Sequence, residues 1–286
     1  MFTVEERDRV RDRIIEVAKA DPRIVSGAMV GSLISSSWGG DHWSDLDLTF
    51  ALEDGVLLAE VLADWTSRLA AEFGAVHLFD LPHLSTLYRV FLLQGNLQVD
   101  LSFTPKTDFG GRGPKFKLLW GKAVEIKWTS PPSAKELFGE AVHYLVRARI
   151  CIERGKLWQA MYLINDARNF VLSLECVRRG LPALYGRGFD SLPKEFLQPF
   201  TETLVGSLDR RHLLNALSRI LDELLRNPQD VGDMASKLES QLREIQSETF
   251  GQDTGRERAS VHLPKTNAWP KKHPIAAKRS VEEGCR

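Results

Sequence analysis

The chain has 286 residues, of which 43% are hydrophobic, and its 38 basic residues balance 38 acidic ones to a formal net charge of zero. This composition suffices for an ordinary globular core and excludes the strong overall charge with which proteins bind nucleic acid or membrane surfaces non-specifically. Three scattered cysteines without CxxC spacing argue against a disulfide framework or a zinc site and favour a reducing cytoplasm.

The first predicted element is a helix over residues 3–20, where apolar residues recur at helical intervals before Asp21-Pro22 ends the pattern. The N-terminal segment has no apolar stretch typical of a signal peptide, and no apolar run approaches the roughly 18 residues that a membrane span requires. We therefore expect a cytoplasmic protein without a membrane partner.

Two strands are predicted next. Residues 24–30 form a short apolar run, which is followed by Gly31-Ser32 and a stretch rich in serine and glycine up to Ser44. Residues 45–52 alternate polar and apolar before apolar residues take over, as in a strand with one face partly open to solvent.

A second helix is predicted over residues 57–73 by its period, and a β-hairpin follows it. The runs 87–93 and 97–103 flank Gln94-Gly95-Asn96, and Gly-Asn is a favoured hairpin turn. Residues 104–132 are rich in glycine, proline and lysine, which predicts an irregular connection between domains. We interpret the Gly110–Gly113 run inside it as linker.

The remaining chain is predicted to be helical, over residues 134–153, from 157 past 174, and over about 195–205, 210–226 and 230–247. The fold class is therefore α+β, with a mixed sheet and flanking helices in residues 1–130 and an all-α bundle in residues 131–250. Residues 251–286 lack apolar periodicity and have eight basic against four acidic residues, which predicts a disordered basic tail.

One constellation indicates chemistry. Gly31-Ser32 is followed, after twelve residues, by Asp45-Leu46-Asp47 in a predicted strand. Strand alternation places the two carboxylates on one face, about 6.5 to 7 Å apart at Cα, so both can reach a shared cation. Magnesium prefers hard oxygen ligands and is commonly held by one or two carboxylates together with substrate phosphates. A Gly-Ser turn allows the backbone to approach closely and to hydrogen-bond phosphate oxygens.

A third acid, Asp100, lies between Val99 and Leu101 on the second hairpin strand. A carboxylate in an apolar strand is costly unless it is paired or bound to a metal. We therefore group Asp100 with Asp45 and Asp47.

These residues resemble the nucleotidyltransferase superfamily, which includes DNA polymerase beta and the aminoglycoside and lincosamide nucleotidyltransferases. The resemblance covers about residues 24–104. It implies a nucleotidyltransferase-fold sheet, Mg²⁺ bound by Asp45 and Asp47, phosphate bound by Gly31 and Ser32, and a role for Asp100 as a further metal ligand or as the base for the acceptor hydroxyl. Ser44 is a weaker candidate for phosphate contact.

The resemblance also implies the reaction and its partners. The chain would transfer a nucleoside monophosphate, with ATP as the expected donor, to a hydroxyl of a small acceptor such as an aminoglycoside or lincosamide, as antibiotic-resistance enzymes do. Glu140 is a candidate acceptor base in the helical half, and Asp166, Arg168 and Asn169 are comparable candidates. Two alternatives stay open: transfer to a protein or a transfer RNA, and nucleotide binding without turnover. Nothing in the sequence indicates an oligomeric state.

Overall fold

The computed structural model describes residues 1–34, 41–113, 115–126, 130–226, 228–247 and 250. The chain divides into two compact units, one containing Met1–Thr129 and the other beginning at Ser130. The predicted basic tail after residue 250 lies outside the described residues.

The first unit contains two helices and a six-stranded sheet. The helices are α1 (Val4–Ala20) and α2 (Leu58–Phe73), and the strands are β1 (Ile24–Val30), β2 (Leu46–Leu52), β3 (Val76–His83), β4 (Thr86–Leu92), β5 (Gln98–Pro105) and β6 (Phe116–Trp120). The strand order is β3-β4-β5-β2-β1-β6. β2 and β5 pair in parallel and the other neighbours pair antiparallel, so the sheet is mixed, as the sequence predicts.

Local sequence explains where these elements begin and end. A capping box formed by Thr3 and Glu6 begins α1, because each side chain accepts a hydrogen bond from the backbone N–H of the other residue. The predicted hairpin of β4 and β5 is confirmed, and Gly95 and Asn96 in its turn have φ values of 71° and 63°. Glycine and asparagine tolerate this left-handed conformation better than other residues.

One face of the sheet forms the core of the first unit. Alternate residues of the two central strands, such as Leu48 and Phe50 in β2 and Leu101 and Phe103 in β5, are buried against α1 and α2. Phe50 packs against the rings of Trp65, Phe103 and Trp120. The opposite face of the same strands is free of this packing and contains the candidate site.

Two strands were not predicted. β3 lies at one edge of the sheet, and β6 lies at the other edge, inside the segment 104–132 that the sequence predicts to be irregular. The expectation of an irregular connection was therefore wrong for Phe116–Trp120, which pairs with β1.

The second unit is helical, as predicted. Its helices are α3 (Ala134–Glu153), α4 (Leu157–Arg178), α5 (Lys194–Thr201), α6 (Arg210–Arg226) and α7 (Gly232–Glu244). The core is formed mainly by the apolar stripes of α3, α4 and α6. Among the described residues, no helix is long and apolar enough to cross a lipid bilayer.

Candidate functional site

Strand register brings two of the predicted acids together. Asp47 in β2 lies directly beside Asp100 in β5, in a parallel pair whose strands are about 4.8 Å apart. Both side chains belong to the sheet face opposite the core, because their neighbours along the strands are core residues. Asp47 is buried, with 9% of its surface exposed, and Asp100 is half-buried.

Asp45 adds a third negative charge to this pair. It lies immediately before β2, which begins at Leu46, so the observed strand is one residue shorter than the predicted strand over 45–52. Burial, and to a smaller extent the charge of Asp45, raise the pKa of Asp100 to about 6, while a hydrogen bond from Gln98 Nε2 to Asp100 Oδ1 (3.1 Å) opposes the rise. The structure therefore places Asp45 within electrostatic reach of Asp100.

Gly31 lies against the Asp47 carboxylate. Its φ of 81° is in the left-handed region, and a β-carbon at this position would clash with Asp47 Oδ2. Only glycine meets both conditions without strain. The adjacent Ser32 hydroxyl is buried and has no hydrogen-bond partner within the described parts of the chain. A buried hydroxyl left in this state favours a ligand that supplies the missing bond.

Ser44 lies in the turn that precedes Asp45, and its contact with phosphate stays a prediction. Its Oγ accepts a hydrogen bond from the backbone N–H of Asp41 (3.1 Å), so the hydroxyl closes the turn that leads into Asp45. The buried side chain of Arg7 fastens the same turn to α1, because its Nη1 donates to the carbonyl oxygens of Asp41 (2.6 Å) and Ser44 (3.2 Å).

Sequence reasoning missed Arg7. The signal was present, since Arg7 shares the buried stripe of α1 with Val10, Ile14 and Ala18. An arginine on an apolar helix stripe needs hydrogen-bond acceptors inside the fold, so it indicates a tertiary contact.

The site suits magnesium by the chemistry of its donors. No group of three or more histidine, cysteine or acidic side chains with metal-binding geometry occurs among the described residues. Magnesium does not require one, because it usually retains waters and takes one or two carboxylates together with phosphate oxygens. Neighbouring carboxylates, one with a raised pKa, fit a cation that arrives with a phosphate ligand, and the Ser32 hydroxyl, which has no partner in the described part of the chain, could contact that phosphate.

The candidates in the helical unit stay predictions. Glu140 lies in α3 and is half-buried, and Asp166, Arg168 and Asn169 lie in α4. Arg168 donates to Thr203 O (3.2 Å) and to Asn165 Oδ1 (2.9 Å), contacts that stabilise the bundle.

Arg89 in β4 is a structural residue. Its guanidinium forms an ion pair with Asp80 (2.6 Å) and donates to Leu62 O and Thr66 Oγ1, which joins β4 to β3 and α2.

Comparisons with known proteins give only distant matches. No protein-family model and no characterised protein sequence matches the chain. Among solved structures, the chain is similar to an aminoglycoside 6-adenyltransferase from Bacillus subtilis, with 12% identity, a TM-score of 0.37, and coverage of 86% of this chain and 99% of that one. A nucleotidyltransferase-like protein from Exiguobacterium sibiricum 255-15 also has 12% identity and a TM-score of 0.37, with coverage of 82% and 80%. Similarity at this level does not establish a common activity.

Proposed function

We propose that this chain is a magnesium-dependent nucleotidyltransferase that transfers a nucleoside monophosphate, with ATP as the donor, to a hydroxyl group of a small acceptor. The observation that supports the proposal best is the placement of Asp47 beside Asp100 in register, with Gly31 against the Asp47 carboxylate. The hydroxyl of the following residue, Ser32, has no hydrogen-bond partner among the described residues.

The residues divide into two roles around the nucleotide. The backbone at Gly31 and the Ser32 hydroxyl would donate hydrogen bonds to phosphate oxygens, because a glycine turn exposes its N–H groups. Asp45 and Asp47 would hold Mg²⁺. When bound, this ion neutralises phosphate charge and stabilises the leaving pyrophosphate.

Asp100 is suited to take the proton of the acceptor. Its raised pKa, about 6, makes it a stronger base than an ordinary aspartate while leaving it mostly ionised at neutral pH. The acceptor O–H would give its proton to the Asp100 carboxylate as its oxygen forms a bond to the α-phosphorus. The bond between that phosphorus and its bridging oxygen breaks, and pyrophosphate leaves with the electron pair. Glu140 is the alternative base.

The acceptor is proposed from the resemblance alone. Aminoglycosides and lincosamides are the first candidates. In this arrangement residues 1–130 form the catalytic domain and residues 131–250 a helical domain.

The test is a mass-spectrometric assay on the full chain. The protein is incubated with Mg²⁺, one of four nucleoside triphosphates and a panel of aminoglycosides, lincosamides and hydroxylated metabolites. The proposal predicts an acceptor mass increased by one nucleoside monophosphate and an equal amount of pyrophosphate. Asp45→Asn should remove both products, whereas Asp12→Asn, a change at an exposed carboxylate of α1, should retain them.

The outcomes separate the alternatives. Modification of the protein itself or of added transfer RNA, without any small product, would favour a macromolecular acceptor. Nucleotide binding that raises the melting temperature without any product would favour a binding module, and the transferase proposal would then be wrong.

A further inference from the structure

A small pocket lies on the same sheet face as the acids, next to them. It is lined by Val30 of β1, by side chains from β2, β4 and β5, by residues between 108 and 113, and by Lys115 and Phe116 at the start of β6. We call it the second-face pocket. Its volume of about 30 Å³ accommodates one or two waters, or a single small polar group in place of them.

Hydroxyl groups form the floor of the second-face pocket. Thr49 in β2 lies beside Ser102 in β5, and Tyr88 in β4 lies opposite Ser102. Thr49 and Ser102 are each two residues beyond Asp47 and Asp100 along parallel strands, a separation of about 7 Å. The pocket is therefore within the reach of one substrate molecule bound at the acids.

The cover of the pocket is a packed part of the fold, although the sequence suggested a linker. Phe109 is buried and its ring contacts Phe116. Its carbonyl accepts a hydrogen bond from the N–H of Val124 (2.8 Å). A β-carbon at Gly110 would clash with the carbonyl oxygen of Val124, which explains a glycine there. These contacts fix the segment over the sheet.

Two cations line the second-face pocket. Arg112 and Lys115 are both half-buried, and neither has a hydrogen bond or an ion pair with any described residue. Asp108, which is exposed, is the one acidic side chain among the lining residues, so the lining has a net charge of +1. No described protein group therefore neutralises these two charges, and an anion that enters the pocket would gain their attraction without displacing a protein carboxylate.

We propose that the second-face pocket is a recognition subsite for an oxyanion, a phosphate or a carboxylate, of one of the two substrates. Arg112 and Lys115 would supply the positive charge, and the hydroxyls of Thr49 and Ser102 would complete the hydrogen bonds. The inference rests on the proposed function for the identity of the substrates. The proposal disfavours polycationic acceptors, because Arg112 and Lys115 would repel their positive charges unless the donor phosphates occupy the pocket.

The test is a calorimetric titration of the full chain with pyrophosphate in EDTA, so that no metal contributes to binding. The parent should bind pyrophosphate, with an affinity that falls as salt rises. The double substitution Arg112→Gln and Lys115→Gln should weaken binding at least tenfold. Lys117→Gln, a change at an exposed lysine of β6, is the matched control and should alter the affinity less than twofold. Asp45→Asn should bind pyrophosphate no more weakly than the parent.

A second titration identifies the source of the oxyanion. With Mg²⁺ and a non-hydrolysable ATP analogue, an equal loss of affinity in the double variant assigns the pocket to the donor phosphates. The pocket belongs to the acceptor if two results are found together. The double variant binds the analogue as tightly as the parent does, and inorganic phosphate binds to the analogue-saturated parent but not to the analogue-saturated double variant.

The proposal is overturned if the parent binds no pyrophosphate or if the double variant binds it as tightly as the parent does. These titrations involve no turnover, so they can fail while transferase activity is present, and they can succeed while it is absent. A failure of the proposal about the pocket is thus distinguishable from a failure of the proposed function.

Discussion

The two faces of β2 and β5 have different side chains although they share one backbone. On one face, Leu48 and Phe50 of β2 and Leu101 and Phe103 of β5 are almost fully buried beneath α1 and α2. On the other face, the same two strands place Asp47 beside Asp100 and Thr49 beside Ser102. We call the first of these the core face and the other the second face. Alternation along a strand therefore separates side chains that stabilise the domain from side chains available for chemistry.

The comparison predicts that substitutions on the two faces have opposite consequences. Changes on the core face should lower stability and leave the properties of the folded protein almost intact. Changes on the second face should lower activity while stability stays the same or rises.

The largest effect is expected at Asp47. Asp47→Asn removes a formal charge without changing side-chain size, and with it one proposed magnesium ligand. The turnover number should fall by a factor on the order of 10³, about 4 kcal/mol of transition-state stabilisation. The turnover number is measured by pyrophosphate release, and Asp45→Asn should lower it by a similar factor. Retention of more than a tenth of the parent activity in either variant would refute the metal assignment.

Phe50→Ala tests the core face. Phe50 is fully buried among three aromatic rings, so its truncation should cost about 3 to 5 kcal/mol of unfolding free energy. Denaturant unfolding measures the loss, and the turnover number of the folded fraction at low temperature should stay within a few fold of the parent. The matched change is Thr49→Val on the adjacent residue of the same strand, which should change the free energy of unfolding far less, because it removes a hydroxyl without leaving a cavity. Equal losses from the two substitutions would contradict the comparison.

Asp100→Asn should lower activity and raise stability. The turnover number should fall by a factor on the order of 100 if Asp100 accepts the proton. Its pKa is raised to about 6 from an ordinary value of 3.8, so the folded state holds a proton that the unfolded chain has already released. Stability of the parent therefore decreases as pH rises from about 4 to 6 and stays lower above that range.

The free energy of unfolding of both proteins is measured in EDTA, so that metal binding does not contribute. Asp100→Asn should be about 2 to 3 kcal/mol more stable than the parent at pH 8, and the difference should vanish near pH 4. Urea unfolding at both pH values measures it. A difference of the same size at pH 4 would show that the charge of Asp100 is not its cause. Full turnover in the variant would transfer the role of base to Glu140.

The smallest effect is expected at Arg7, a positioning residue that does not contact the substrate. Arg7→Met leaves the carbonyls of Asp41 and Ser44 without their buried donor, so the turn before Asp45 should shift. We expect about a tenfold fall in the turnover number and a higher magnesium concentration for half-maximal rate. Arg7→Lys should restore part of the turnover number and part of the magnesium affinity. Arg9→Met, at an exposed position of α1, is the control. A loss of stability with an unchanged magnesium requirement would limit Arg7 to a structural role.

Much of the sheet could be predicted because its central strands obey a burial pattern. β1, β2, β4 and β5 each have one or two faces in the core, and the turn at Gly95 marks the hairpin. The edge strands β3 and β6 pair on one side only, and their exposed residues, such as Val76 and Leu118, do not produce a clear alternation. Their formation depends on backbone pairing with a neighbour, which a single sequence does not display.

The candidate site divides in the same way. Asp45, Asp47 and the Gly31-Ser32 turn are close in sequence, and their spacing indicates a phosphate and metal site. The apposition of Asp100 to Asp47 requires the parallel register of β2 and β5, which the sequence does not state. The sequence predicts a linker at Arg112 and an irregular connection at Lys115, because the glycine-rich composition hides the packing of Phe109 against Phe116.

The central claim, that the second face binds a nucleotide through magnesium held by acids of β2, is tested most directly by calorimetry with a non-hydrolysable ATP analogue. The parent and Asp47→Asn are each titrated in Mg²⁺ and in EDTA. We predict that magnesium tightens binding to the parent at least tenfold and has less than a twofold effect on Asp47→Asn. Equal enhancement by magnesium in both proteins, or none in the parent, would contradict the account.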